Sequence, residues 1–249
     1  MGARVSANAR SPLVIAHRGA SAQRPENTLP AYALAVEQRA DMIEIDLHCT
    51  RDGAVVITHD ESLEHLGGHG AIEDASLAAV RALDAGGGER IPTLDEVLDG
   101  FGEQIPFNLE LKRGVCATYS GLEAIALEAV ERRGMLERTL FSSFFDPVLA
   151  ELRRLSRTAR IALLIRPQDQ ERPLERAREV GAEALNPWFG LVEPELIEAA
   201  HADGLAVYPY TVDDEGVMRR LIEAGVDGLF TNRPDRMRRL LQIPAGQPG

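Results

Sequence analysis

Two short patterns place acids where an apolar strand would be expected. Glu44 and Asp46 interrupt the run Met42 to Leu47, and Glu110 and Lys112 lie in Asn108-Leu-Glu-Leu-Lys112. In a strand, residues i and i+2 share a face, so each pair projects together. Ionised carboxylates within an apolar strand are costly unless neutralised. If the two charged faces coincide, three carboxylates and one ammonium converge. Three hard oxygen ligands suit Mg²⁺ or Ca²⁺, with water or substrate completing the shell. The competing account is a buried salt-bridge network in which Lys112 and an arginine compensate the acids. That two such patterns occur in one chain favours a site.

Histidines close the first and third apolar runs, in Ala16-His17-Arg18-Gly19 and Thr58-His59-Asp60. A histidine pair can serve as general base and general acid near neutral pH. Arg18 offers a planar fork for a phosphate or carboxylate, and Gly19 allows close backbone approach to a ligand. Glu26, at the start of the first helix, is a candidate carboxylate on the loop beside the site, and Asn27 reads as a helix cap. His48 shares the parity of Glu44 and Asp46, but the apolar run stops at Leu47, so it reads as a strand-end residue. His65 and His69 read as exposed loop residues and His201 as a solvated helix residue. The glycine clusters match neither nucleotide fingerprint, and no Gly-x-Ser-x-Gly elbow is present.

These residues need a frame. Strand-like runs are Leu13 to Ala16, Met42 to Leu47, Val55 to Thr58, Phe107 to Leu111, Thr139 to Ser142, Ile161 to Ile165, Ala184 to Asn186, Leu205 to Tyr210 and Gly228 to Phe230. Helical patterns alternate with them. One is expected over Asn27 to Arg39, one over Thr93 to Leu98 with a Thr93–Glu96 capping box, and five more between Leu122 and Ala224. Alternation with apolar strands predicts a parallel sheet buried on both faces. About eight such units fit a (β/α)₈ TIM barrel, with one of the nine runs outside it. A doubly wound open sheet is the rival. The segment from Asp60 to Ile91, rich in glycine, reads as an insertion after the third strand, with a short helix near Ser76 to Leu83. One domain is expected over 12–243, with flexible tails at 1–11 and 244–249.

Composition narrows the function. The chain has 249 residues and a net charge of −12, a poor general binder of nucleic acid or anionic membrane. Lys112 is the only lysine among 27 basic residues. No apolar stretch approaches the roughly 18–20 residues of a membrane span. The two cysteines, Cys49 and Cys116, lack metal or redox spacing. The N-terminus has no apolar core of a secretory signal, so a reducing cytoplasm is expected.

Taken in order, His17-Arg18-Gly19, Glu26-Asn27-Thr28, Glu44-Ile-Asp46, Thr50-Arg-Asp52-Gly53, His59-Asp60, Pro92-Thr93-Leu94-Asp-Glu96, Glu110-Leu-Lys112, Ser143-Phe144, Tyr210-Thr-Val-Asp213 and Thr231-Asn-Arg-Pro234 resemble the glycerophosphodiester phosphodiesterase family. The likeness spans about residues 13 to 240. It implies a TIM barrel, a divalent metal, and hydrolysis of glycerophosphodiesters such as glycerophosphocholine or glycerophosphoethanolamine to glycerol 3-phosphate and an alcohol. It further implies Glu44, Asp46 and Glu110 as metal ligands, His17 and His59 as the acid–base pair, and Arg18 and Lys112 as holders of phosphate oxygens, with Glu26 and Tyr210 at the rim. The partner is then a small-molecule phosphodiester. The sequence departs from the family pattern in the loop Leu63 to Gly70, at Tyr210 in place of tryptophan, at Asp213 in place of asparagine, and at Asn232 in place of aspartate. Loops and rim aromatics shape the leaving-group pocket. Two other readings are a lysophospholipase D or sphingomyelinase D-like enzyme acting on lipid, and a non-catalytic glycerophosphodiester-binding protein.

Overall fold

A computed structural model describes residues 11–115 and 119–242. Most of both expected tails, and Cys116, lie outside the described residues. Nine strands form: β1 (Leu13–His17), β2 (Met42–Cys49), β3 (Val55–Ile57), β4 (Phe107–Leu111), β5 (Thr139–Ser143), β6 (Arg160–Ile165), β7 (Ala184–Pro187), β8 (Ala206–Val207) and β9 (Gly228–Thr231). Eight are staves of one parallel sheet in the order β8-β7-β6-β5-β4-β2-β1-β9. The two ends meet. Asp227 donates its backbone N–H to Val207 at 3.0 Å and Phe230 to Pro209 at 2.9 Å. The Asp227 carboxylate accepts the Val207 N–H at 2.8 Å. The sheet is thus a (β/α)₈ barrel rather than an open doubly wound sheet.

The run outside the barrel is β3. It pairs antiparallel with the end of β2, Leu47 opposite Ile57 and Cys49 opposite Val55. The turn between them is set by Thr50, whose hydroxyl lies 2.6 Å from Asp52 Oδ1, and by Gly53 at φ 81°. The expected long strand at Leu205 to Tyr210 is cut to β8 because Pro209 has no N–H to give. Its neighbours still bond across, Tyr208 to Leu185 and Tyr210 to Pro187.

The α-helices among the described residues are α1 (Leu29–Glu37), α2 (Leu77–Val80), α3 (Leu94–Phe101), α4 (Leu122–Glu131), α5 (Asp146–Leu155), α6 (Pro173–Val180), α7 (Pro194–Ala202), α8 (Glu215–Ala224) and α9 (Pro234–Gln242). The capping box at Thr93–Glu96 is present. The cap of α1 is Thr28, which accepts from the Ala31 N–H, not Asn27. The arginine-rich α9 has too few apolar residues to stand out by pattern, yet it buries Pro234, Met237 and Leu240.

Side-chain alternation divides the core. Inward-facing residues Ile15, Met42, Leu140, Ala162, Ala184, Tyr208 and Phe230 fill the barrel interior, while the opposite strand faces pack under the helices. Two residues further along the same inward faces stand His17, Glu44, Ser142, Leu164, Asn186 and Tyr210. The apolar plug thereby confines polar groups to the C-terminal mouth, where barrel enzymes place their chemistry. The insertion after β3 has its own satellite core of Val56, Leu63, Ile72, Val80 and Ile91.

Candidate active site

The strand register brings the acids together. β1 sets His17 beside Glu44, and β4 sets Glu110 beside Asp46. One oxygen from each of Glu44, Asp46 and Glu110 lies within 4.8 Å of the others, and all three residues are buried. Lys112 Nζ sits 2.9 Å from Asp46 Oδ1 and 2.6 Å from Glu110 Oε1. Arg18 Nε lies 3.1 Å from Asp46 Oδ2, and its backbone N–H donates to Glu44 Oε2 at 3.0 Å. Glu44 Oε1 is buried with no partner. Burial, then repulsion from Asp46 and Glu110, pushes the Glu44 carboxyl well above its ordinary range. Burial likewise raises Glu110, with Lys112 opposing. Asp46 is held low: burial works against ionisation, but Lys112 and Arg18 outweigh it. The cluster carries more carboxylate than its two cations neutralise, and its orphaned oxygen is the ligand a hard divalent cation takes. The donor set therefore fits Mg²⁺ or Ca²⁺.

Both sequence-identified histidines line one cavity of about 170 Å³, together with Arg18, Glu44, Glu110, Lys112 and Tyr210. Their second nitrogens differ in partner. His17 Nδ1 lies 2.8 Å from Asn232 Oδ1. The Asn232 amide nitrogen faces the Asp213 carboxylate at 2.7 Å, which can only accept, so the oxygen must face His17. His17 consequently carries its proton on Nδ1 and presents the Nε2 lone pair. Burial, reinforced by Arg18, lowers its pKa to about 4. His59 Nδ1 instead meets a carboxylate, Asp60 Oδ1, at 2.6 Å, a partner that stabilises the imidazolium. Burial and Lys112 still lower its pKa.

Glu26 is half-exposed and reaches the site only through Arg18, which it grips at 3.0 and 3.1 Å. Tyr210 lines the cavity and donates its hydroxyl to Ile165 O at 3.0 Å. His48 lies next to the end of a strand that runs on past Leu47. β2 runs on to Cys49, and His48 is buried with Nδ1 2.7 Å from Tyr119 Oη and Nε2 3.2 Å from His59 O. His65 remains largely exposed but lies 3.5 Å from Asp60 Oδ2.

Three residues carry roles that pattern did not assign. Asn27 is buried at φ 57° and donates to Asp46 Oδ2 at 2.8 Å, so it supports the acid cluster. Asn232 orients His17. Arg166, two residues beyond Leu164 on the inward face of β6, lines a second cleft of about 290 Å³. That cleft shares His59, Glu110, Lys112 and Phe144 with the first. Strand parity extended past the β6 end would have found Arg166. Nothing local marks Asn27.

The glycerophosphoryl diester phosphodiesterase family model matches residues 17–236. The chain is 37% identical over 239 residues to a glycerophosphodiester phosphodiesterase of Caldanaerobacter subterraneus subsp. tengcongensis, covering 92% of this chain and 98% of that one. It is 32% identical over 251 residues to a glycerophosphodiester phosphodiesterase of Bacillus subtilis, covering 90% and 84%. An Oleispira antarctica phosphodiesterase, solved in complex with the product sn-glycerol-3-phosphate, superposes with a TM-score of 0.82 at 30% identity, covering 93% and 97%. With the match running the length of the barrel, the chain belongs to the glycerophosphoryl diester phosphodiesterase family and is an enzyme of that type.

Proposed function

We propose that the chain hydrolyses soluble glycerophosphodiesters to glycerol 3-phosphate and an alcohol, in a metal-dependent reaction with His17 as base and His59 as acid. The observation that carries this assignment is the contrast between the histidines. His17 rests on a neutral amide oxygen and touches only the inner cavity, whereas His59 rests on a carboxylate and stands on the wall shared by both cavities. The inner cavity then takes the glycerol phosphate half and the second cleft the departing alcohol.

In the step itself, His17 Nε2 removes a proton from water or from the glycerol 2-hydroxyl. That oxygen forms a bond to phosphorus as the bond to the alcohol oxygen breaks, and protonated His59 returns a proton to the leaving alkoxide. Attack by water gives glycerol 3-phosphate directly; attack by the 2-hydroxyl gives a cyclic phosphate, which water then opens at the 2-oxygen, with His59 taking the water proton and His17 returning a proton to that oxygen. Arg18 and Lys112 balance charge on the phosphoryl oxygens. Glu44, Asp46 and Glu110 would hold the divalent cation, whose Lewis acidity supplies further stabilisation of that charge. The charged groups of the two cavities, among them Arg18, Glu110, Lys112, Arg113 and Arg166, favour deacylated substrates. Among the described residues no helix is long and apolar enough to cross a membrane. The buried free thiol of Cys49 suits a reducing cytoplasm.

The test is release of glycerol 3-phosphate from glycerophosphoethanolamine, coupled to a dehydrogenase, with EDTA and then with Mg²⁺ or Ca²⁺ restored. His17→Ala and His59→Ala should each lower turnover about 10²–10⁴-fold. Metal-independent release, or either variant at full activity, overturns the mechanism.

A further inference from the structure

The second cleft has a charge pattern of its own. Lys112 on its wall is committed to Asp46 and Glu110. Two arginines are not committed in that way. Arg166 Cζ lies 4.7 Å from the Phe144 ring centroid and 5.3 Å from that of Phe145. Arg113 Cζ lies 4.7 Å from the Phe145 centroid. Among the described residues neither guanidinium has a carboxylate within ion-pair distance, although both line the cleft. Stacking leaves the in-plane N–H groups of an arginine available to an anion. It also occupies the aromatic faces on which a quaternary ammonium would otherwise rest. Such an ammonium would have to displace a guanidinium and then lie beside its charge. Three acids also line the cleft, of which Glu110 is held by Lys112 at 2.6 Å. Asp60 is engaged by His59 at 2.6 Å and His65 at 3.5 Å, which leaves Glu61 as the one acid there opposing the two arginines.

We propose that this cleft receives the leaving alcohol and selects one that carries an anionic group, a phosphate or a carboxylate, over a quaternary ammonium. The proposal rests on the phosphodiesterase reading above and deepens it. It replaces glycerophosphocholine, expected from resemblance, with an anionic class of diester as the preferred substrate.

A series of diesters sharing one glycerol 3-phosphate half tests it. The second alcohol is glycerol, glyceric acid, glycerol phosphate or choline, and kcat/KM is measured for each with the metal-loaded enzyme. A charge-assisted contact in a half-exposed cleft is worth about tenfold. The glycerate or glycerol phosphate diester should therefore exceed the glycerol diester by about that factor, and the choline diester should rank last. The two anionic arms tell a carboxylate site from a phosphate site. Arg166→Gln should contract the anionic-to-choline ratio at least severalfold, Arg166→Lys should retain part of it, and Glu61→Gln should widen it. A choline diester turned over as well as the anionic ones overturns the proposal while leaving the reaction intact. So does a ratio unmoved in both Arg166→Gln and Arg113→Gln. No glycerol 3-phosphate from any diester with either metal overturns the phosphodiesterase reading itself.

Discussion

Replacing Asn27 with aspartate is a change of one atom that should cost the fold several kcal/mol, in a pH-dependent way. Asn27 is buried, donates to Asp46 Oδ2 at 2.8 Å and accepts the Tyr32 hydroxyl at 3.2 Å. Aspartate keeps the shape, keeps the acceptor for Tyr32 and tolerates the left-handed backbone. It loses only the donor and puts a second carboxylate against Asp46. Left ionised, two unit charges at that spacing repel by about 6 kcal/mol even at an effective dielectric constant of about 20. Binding a proton is cheaper. An aspartate of ordinary pKa held protonated at pH 7 costs about 4 kcal/mol, at about 1.4 kcal/mol per pH unit, and the new carboxyl proton can then donate to Asp46. Asn27→Asp should thus lower the unfolding free energy by about 4 kcal/mol at pH 7 and by about 1.5 kcal/mol at pH 5. Urea denaturation of both proteins in EDTA, across pH 5 to 7.5, measures this. A destabilisation that does not change with pH, or none at all, refutes the argument.

Three further outcomes are expected. Saturating Ca²⁺ or Mg²⁺ at about a hundredfold over Kd should raise stability by about 2.7 kcal/mol, read as a melting shift over EDTA that Glu44→Gln abolishes; an equal shift in the variant would remove the acids as ligands. Gly19→Ala should destabilise by about 3 kcal/mol, because Gly19 has φ 84° and an added Cβ would stand 2.7 Å from the Ala31 carbonyl carbon; a neutral urea midpoint would contradict this. Burial lowers His48 to about 4, so the unfolded chain binds a proton that the folded one refuses. Stability present above pH 6.5 should fall by on the order of 3 kcal/mol as pH drops towards 4, and His48→Asn should remove that portion of the slope.

The strand-borne groups were legible because a strand has a period of two. Glu44 with Asp46, and Glu110 with Lys112, interrupt apolar runs at that period, and so they declare both the strand and its inward face. The same rule located the histidines at strand ends and left one run of nine without a stave. It could not say which run, because β3 is as apolar as its neighbours, and only the antiparallel pairing with β2 distinguishes it. The burial of His48 was not legible for a related reason: apolarity stops at Leu47, but the strand's hydrogen bonding runs on to Cys49. Asn27 and Asn232 were not legible as site residues. Each acts through a partner distant in sequence, Asp46 and His17, and an amide has no hydropathy signature that reports such contact. Resemblance supplied the reaction, whereas the character of the second cleft came from how Arg113 and Arg166 lie on Phe144 and Phe145.

The satellite core after β3 gives the two histidines unequal footing. His17 ends a central stave and opens only when the barrel opens. His59 follows β3, on a segment with its own satellite core of Val56, Leu63, Ile72, Val80 and Ile91, and the His59 carbonyl is tied back by His48. Protein segments of this kind exchange amide protons through openings smaller than global unfolding. On the proposed mechanism, the proton donor and one wall of the cleft that takes the alcohol therefore sit on one such segment. On that reading, changes within the insertion retune which alcohol is released while the barrel, His17 and the acid cluster stay as they are.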